Sequence, residues 1–196
     1  GGRYEQFKQT TDTFSLAGAQ EAVRSEIDEG NFLPSLSFNW FMSDKSQLRA
    51  TVSRTVARPD FKETSNATFY DNEFDFRVRG NPLLKISEVN NYDLRFEQYW
   101  NDADNASIAL FYKDLKDPIE RVAVSASGTA GNTRTFQNSD AATIYGVEVD
   151  GRKEFGLNAA YTHTLFVAVN ASYIESDVDL ANGESRKLQG QPDYTA

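Results

Sequence analysis

Charged side chains at every second position are the residues of this sequence whose types and spacing could do chemistry. They alternate with apolar residues in three separate stretches. The charged positions are Arg49, Asp93, Arg95, Glu97, Glu148, Asp150 and Arg152. Opposite charges with a two-residue period can pair across neighbouring strands. The chemistry that this spacing predicts is therefore ion pairing along one face of a sheet.

Catalytic and metal-binding patterns are weak by comparison. His163 is the only histidine and there is no cysteine, so thiolate ligands, disulfides and a serine triad are not supported. The pairs Asp102–Asp104 and Asp177–Asp179 have the spacing that opens a calcium loop. Alanine occupies the next ligand position in both, at Ala106 and Ala181. We therefore expect no enzyme, no metal site and no cofactor.

The overall composition restricts the class of protein further. The 196 residues include 20 Lys and Arg against 29 Asp and Glu, for a net charge of −9. Nucleic-acid binding requires a basic footprint, so a nucleic-acid partner is not expected. The sequence contains no long apolar run, and no transmembrane helix is predicted. Barrel strands are only half apolar, so a membrane barrel remains compatible with this composition.

The stretch from Glu88 to Asp117 predicts a long antiparallel hairpin. In its first arm Tyr92, Leu94 and Phe96 alternate with charged residues, and a short turn rich in Asn and Asp follows. This arm is longer than the roughly 5–6 residues of a typical soluble strand and matches the roughly 9–11 residues of a membrane-spanning one. One face of the hairpin is apolar and aromatic, and the other carries both signs of charge.

Two architectures accommodate such a two-faced strand. In a soluble sandwich the apolar face packs inward and the charged face meets water. In an outer-membrane barrel the apolar face meets lipid and the charged face lines the lumen. The alternation alone fits both, whereas the length of the arm favours the barrel.

Further alternating stretches lie at 33–42, 47–58, 143–155 and 161–175. The predicted short connections are 43–46, 101–105 and 156–160, and the long ones are 8–31, 59–87, 117–140 and 176–190. Large aromatic residues form two sets: Trp40, Phe41, Tyr99, Trp100, Phe155 and Tyr161 beside the short turns, and Tyr92, Tyr145 and Tyr173 further along the strands. Short periplasmic turns, long outer loops and two aromatic belts are typical of outer-membrane barrels.

The long connections carry local patterns of their own. Leu16, Ala19, Val23 and Ile27 recur at helical spacing, which fits a short helix and an irregular acidic loop equally well. The run FDFRVR at 74–79 alternates sharply, and this pattern predicts a strand that rises above the membrane.

Five segments together resemble the barrel of TonB-dependent outer-membrane receptors. They are SRTVARPD at 53–60, GNPLLK at 80–85, NNYDLRFEQYW at 90–100, SIALFYKDLKDPIER at 107–121 and YGVEVDGRKEF at 145–155. They occur in the order and spacing of that family's landmarks. The resemblance is good over residues 33–155 and looser elsewhere.

The resemblance implies an all-β, antiparallel up-and-down transmembrane barrel of about 22 strands, of which this chain holds about seven or eight. It implies energised uptake of a scarce ligand, such as a ferric siderophore, a cobalamin or a glycan, across a bacterial outer membrane. The implied partners are outer-membrane lipid, the imported small molecule and, through a plug domain, the TonB complex. Residues 1–196 contain no plug sequence, and we expect a fragment from the C-terminal part of one barrel domain.

Two groups of site residues follow from this interpretation. The seven charged residues named above should point into the lumen, because Arg or Lys facing lipid at mid-membrane costs roughly 2–4 kcal/mol. Some of them are expected to hold the plug. Ligand contacts are expected from the outer loops. The candidates are Tyr70, Asp71, Arg77 and Arg79, which combine aromatic and charged groups on one connection.

Two other kinds of protein fit part of the pattern. A complete eight-stranded outer-membrane barrel with a structural or adhesive role requires first and last strands that pair with each other. A soluble β-sandwich binding module requires short strands and lacks aromatic belts. The observations that distinguish them are whether the first and last strands pair, how long the strands are, whether the protein folds without detergent and whether aromatic belts are present.

Overall fold

A computed structural model describes residues 1–14, 22–72, 76–124, 133–158, 163–179 and 185–196. Within these ranges the chain is almost entirely β-structure, with one helix of four residues, α1 (Phe61–Thr64). The strands are β1 (Gly2–Phe14), β2 (Ala22–Ser43), β3 (Ser46–Ala57), β4 (Thr68–Asp71), β5 (Phe76–Arg79), β6 (Ser87–Tyr99), β7 (Asn105–Lys116), β8 (Ile119–Ala123), β9 (Thr133–Asn138), β10 (Ala141–Gly156), β11 (Thr164–Asp179), β12 (Ser185–Arg186) and β13 (Tyr194–Thr195). In the described part, no helix has the length and apolar composition needed to cross a membrane.

Seven long strands form one antiparallel up-and-down sheet, in the order β1, β2, β3, β6, β7, β10 and β11. Each is 12 to 22 residues long. The short strands β12 and β13 both pair with β11. The predicted fold class is therefore confirmed. The predicted hairpin is confirmed as well, because β6 pairs with β7 from Glu88 and Lys116 to Tyr99 and Asn105.

One face of this large sheet is apolar and exposed. Residues directly opposite each other on antiparallel strands share a face, and the register aligns three apolar rows. The rows are Trp40, Leu48, Phe96, Ile108 and Val149; Phe38, Ala50, Leu94, Leu110 and Val147; and Leu36, Val52, Tyr92, Tyr112 and Tyr145. Leu36 and Leu110 are 71% and 52% exposed. A soluble sandwich would bury such rows against a second sheet, whereas a lipid-facing wall leaves them open.

The apolar rows end at a row of tyrosines. Tyr92, Tyr112 and Tyr145 lie side by side on β6, β7 and β10, and the ring centroids of the first two are 6.0 Å apart. The next row on the same face is polar and consists of Arg54, Asn90, Asp114 and Thr143. Two residues of the predicted second belt, Tyr92 and Tyr145, thus mark an apolar–polar boundary. Tyr112 lies between them and was not predicted.

The tilt of the strands can be calculated from their register. Ser46, at the first short turn, is in register with Gln98, Ala106 and Gly151 through β6, β7 and β10. The β10–β11 hairpin continues five residues past Gly151 to Gly156. The β2–β3 turn and the β10–β11 turn are four strand spacings apart, measured between their centres. If both turns lie at one height, the five-residue stagger over this distance gives a strand tilt of about 40°. Barrel strands are tilted by a similar angle.

A second, four-stranded sheet is built from two of the long connections, in the order β4, β5, β9 and β8. Its strands β5 and β9 pair in parallel. The small core on one of its faces consists of Phe76, Val78, Leu84 and Phe136, with Phe69 and Ile119 packed against them. The neighbouring helix α1 contacts the β1–β2 hairpin, since the Gln9 side chain donates a hydrogen bond of 3.0 Å to Thr64 Oγ1.

The long connections contain more regular structure than the sequence predicts. The expected connection at 8–31 is wrong over most of its length, because β1 extends to Phe14 and β2 begins at Ala22. Val23 and Ile27, whose spacing fitted a helix, lie in β2, while residues 16 and 19 fall outside the described ranges. Ile27 is buried because the hairpin packs on the α1 region. The strand predicted at 74–79 is present over its described part, as β5.

Candidate functional site

Four of the seven predicted charged residues form one network on the polar face of the large sheet. The Arg95 guanidinium lies 3.1 Å from a Glu97 carboxylate oxygen and 3.2 Å from an Asp150 oxygen. The Arg49 guanidinium lies 3.7 Å from Glu97, and Arg95 donates a hydrogen bond of 2.7 Å to Ser107. The network joins β3, β6, β7 and β10, so each side chain is held by a neighbouring strand.

Glu97 is at the centre of this network and is only 7% exposed. Besides the two arginines, the Gln47 amide donates to its carboxylate, and the Tyr99 hydroxyl donates at 2.8 Å. A buried carboxylate is stable only when such partners compensate for its lost hydration. Tyr99, expected among the aromatic residues of a belt, therefore directs its hydroxyl to the polar face.

The three remaining charged residues lie on the same face outside the network. Asp93 and Glu148 are each two residues from a network member on β6 and β10. Neither forms an ion pair with a described residue. The Arg152 guanidinium carbon lies 5.0 Å from the centroid of the Phe166 ring, a cation–π contact.

Asp104 fastens the second short turn to the neighbouring strand. Its carboxylate accepts a hydrogen bond of 2.7 Å from the Glu154 backbone N–H and forms an ion pair with Lys153. The Asn101 side-chain amide donates a third bond of 3.0 Å. The backbone donor first and the lysine second hold the pKa of Asp104 at about 2, below its ordinary value of 3.8. Of the acidic pair at 102 and 104, Asp104 therefore stabilises the turn and attaches it to β10.

Three of the four predicted ligand contacts share one face of the small sheet. Tyr70 lies directly opposite Arg77 on β4 and β5, and Arg79 follows on the same face. The Arg79 guanidinium is held by the Asn66 side-chain oxygen at 2.7 and 3.0 Å. We call this surface the Tyr70 face. A cavity of about 640 Å³ beside it is lined by residues that include Arg77, Arg79 and Thr135.

Asp71 is separated from the other three candidates. It is opposite Phe76 in the β4–β5 register and so faces the small core. Its carboxylate oxygen lies 3.5 Å from the Arg121 guanidinium. Adjacent residues of a strand point to opposite sides, which is why nearness in sequence to Tyr70 did not place it on the Tyr70 face.

An arginine–phenylalanine cluster on the core side of the small sheet was missed by sequence reasoning. Arg121 and Arg134 lie over the rings of Phe76 and Phe136. The residues come from two different connections. The only sequence signal was the alternation in β9, where Arg134 and Phe136 alternate with Thr133 and Thr135.

His163 and the acidic pairs do not assemble into a site. Among the described residues, no group of three or more His, Cys, Asp or Glu side chains could hold a metal ion. The carbonyl oxygen of His163 accepts a turn hydrogen bond of 2.8 Å from the Leu157 N–H. Asp177 and Asp179 are part of β11, in register with Thr143 and Ala141.

The chain resembles known proteins both in sequence pattern and in fold. A family model described as "TonB dependent receptor-like, beta-barrel" matches residues 1–196. The siderophore receptor PirA from Acinetobacter baumannii has a TM-score of 0.56 and 22% identity, over 87% of this chain and 27% of that one. PirA from Pseudomonas aeruginosa has a TM-score of 0.54 and 16% identity, over 81% and 33%.

A third solved structure is the ferric enterobactin receptor PfeA from Pseudomonas aeruginosa, with a TM-score of 0.51 and 21% identity. It covers 81% of this chain and 27% of that one. The chain thus spans about a third or less of each receptor. At these identities the likeness is one of fold. No curated protein sequence matches the chain.

Proposed function

We propose that this chain is part of the wall of an outer-membrane receptor that imports a scarce small molecule. The premise is that the chain belongs to the family of TonB-dependent receptor β-barrels. The observation that carries the proposal is the two-faced large sheet. Its apolar rows are exposed or half-exposed across five adjacent strands, and its opposite face holds a charge network centred on the buried Glu97. This is the arrangement that a barrel wall between lipid and a polar interior requires.

The polar face is proposed to line the lumen and to support a plug. Arg49, Arg95, Glu97 and Asp150 already pair with one another, so their role is to hold the strands in register. Asp93 and Glu148 form no ion pair with a described residue, and they are the carboxylates best suited to accept cationic groups of a plug. Residues 1–196 are then one part of a single barrel domain.

The ligand class is proposed from the named neighbours. PirA is a siderophore receptor and PfeA is a ferric enterobactin receptor. We infer that this chain's receptor takes up a ferric siderophore, and that uptake is energised through the TonB complex. Its localisation is then the bacterial outer membrane.

Uptake of iron-55-labelled ferric enterobactin by cells that express the complete receptor tests this function. The proposal predicts accumulation that requires both the receptor and TonB. A panel of hydroxamate and carboxylate siderophores extends the test if enterobactin is not the ligand. Accumulation that persists without TonB, or no receptor-dependent uptake of any siderophore in the panel, contradicts the proposal.

The Tyr70 face is proposed to contact the ligand. Replacing Tyr70 and Arg77 by alanine in the complete receptor removes an exposed ring and a charge-assisted donor. We expect the Kd for the imported siderophore to rise about tenfold or more. Arg24→Ala is the matched control, because Arg24 is exposed and paired with Asp12 on the β1–β2 hairpin. Equal affinity in the double variant and the control would exclude this role.

A further inference from the structure

A second cavity lies on the side of the small sheet that faces away from the Tyr70 face. It has a volume of about 490 Å³. Its walls include Phe76 and Phe136 from the small core, the guanidinium groups of Arg121 and Arg134, and the segment 188–190. We call it the arginine cavity. Apolar walls with a few convergent polar groups are the usual composition of a small-molecule site.

The guanidinium groups of Arg121 and Arg134 differ in their ion pairs and hydrogen bonds. The Arg134 guanidinium carbon lies 4.9 Å from the Phe76 ring centroid, and that of Arg121 lies 5.4 Å from the same centroid. Arg121 is paired with Asp71 at 3.5 Å. Arg134 has neither an ion pair nor a hydrogen bond with any residue in the described ranges. A guanidinium presents N–H donors in its plane, and those of Arg134 are available to a ligand.

The acidic groups of the cavity do not compete for Arg134. Glu120 is 4% exposed, and one of its oxygens accepts from Ser139 at 3.0 Å and from Arg186 at 2.8 Å. Its other oxygen is enclosed and unpartnered among the described residues. Glu63, the remaining carboxylate, accepts the Asp60 N–H at 2.9 Å in the cap of α1. Both carboxylates of the cavity are thus engaged by groups other than Arg134, and its guanidinium is the cationic donor of the cavity that has no ion pair or hydrogen bond among the described residues.

We propose that the arginine cavity binds a planar aromatic anion of the aryl carboxylate class. The Arg134 fork would pair with the carboxylate, and the guanidinium faces that are turned away from Phe76 would stack on the ligand's ring. The inference rests on the proposed function in that a small-molecule receptor presents such a site on its outer loops. It adds a subsite that shares no side chain with the Tyr70 face.

Calorimetric titration of the purified complete receptor with three probes tests the proposal. The probes are benzoate, benzamide and cyclohexanecarboxylate, which share a size but differ in charge or planarity. We expect benzoate to bind in the millimolar range, and the other two to bind about tenfold more weakly. Arg134→Gln should weaken benzoate about tenfold, Arg134→Lys should restore part of the loss, and the remote control Arg24→Gln should change nothing.

The titration results distinguish failure of the subsite from failure of the proposed uptake function. Unchanged benzoate affinity in Arg134→Gln, or benzamide bound as tightly as benzoate, overturns the subsite. If Arg134→Gln does not assemble, the Arg134→Lys variant and the probe comparison on the unaltered receptor still decide. The titration requires no transport, so a failed subsite leaves the uptake result standing, and a failed uptake assay leaves the subsite standing.

Discussion

Replacing Leu110 by arginine is expected to destabilise the folded wall by about 2–4 kcal/mol. Leu110 lies at the centre of the apolar face, between Leu94 on β6 and Val147 on β10. Its side chain is half exposed, so the loss is not caused by overpacking of a core. The cost comes from placing a charged group against hydrocarbon, where the guanidinium has no water to solvate it.

The control for this substitution is one residue away. Ala109 lies on the opposite face, in register with Arg95 and Glu148. Ala109→Arg introduces the same side chain beside a carboxylate that has no ion-pair partner among the described residues. Its expected cost is within about 1 kcal/mol. Urea titrations of the complete receptor folded into lipid vesicles measure both values, and equal destabilisation by the two substitutions would refute the assignment of the faces.

Gly146→Ala is the second substitution with a large expected effect. A Cβ atom at this position would overlap the Tyr173 carbonyl oxygen and lie 2.7 Å from Cζ of Phe111. The carbonyl belongs to the paired strand β11 and cannot move away without loss of the ladder, while the Phe111 ring covers the glycine from β7. Overpacking of this kind costs about 1–3 kcal/mol.

Gly151 provides the comparison on the same strand. A Cβ atom there meets nothing within 4 Å, and its backbone angle φ is not positive. Gly151→Ala should be neutral or stabilise by up to about 1 kcal/mol, because alanine restricts the unfolded chain. The same urea titration ranks the two variants. A Gly146→Ala protein as stable as Gly151→Ala would show that β10 and β11 are further apart than described.

The faces and register of the large sheet were predictable because they depend on residues that are close together in the sequence. Tyr92, Leu94 and Phe96 alternate with charged residues within a single arm, and a short turn brings β7 beside β6. Alternation and turn length together fix the faces and the register of a hairpin. The same logic failed for the β1–β2 hairpin, since Val23 and Ile27 suit both a helical and a strand spacing.

The small sheet was not predictable because its pairing is distant in sequence. Arg77 on β5 is in register with Thr133 on β9, and no short turn connects the two strands. The Arg134 and Phe76 contact depends on this parallel pairing, so neither residue could be assigned to a site from its own neighbours. Asp71 shows the same limit at shorter range, because its face follows from its pairing with Phe76.

A scan of single cysteines across residues 107 to 112 of β7 shows directly whether the apolar face of the large sheet meets lipid. Residues 1–196 contain no cysteine, so each variant has a single cysteine in this region for attaching a fluorophore. Any cysteine elsewhere in the complete receptor is replaced first. The receptor is then placed in vesicles with brominated lipids, which quench fluorophores that contact the hydrocarbon. A lipid-facing apolar wall predicts quenching at 108, 110 and 112 and little at 107, 109 and 111. Quenching without this alternation, or in the opposite phase, would contradict a lipid-facing apolar wall.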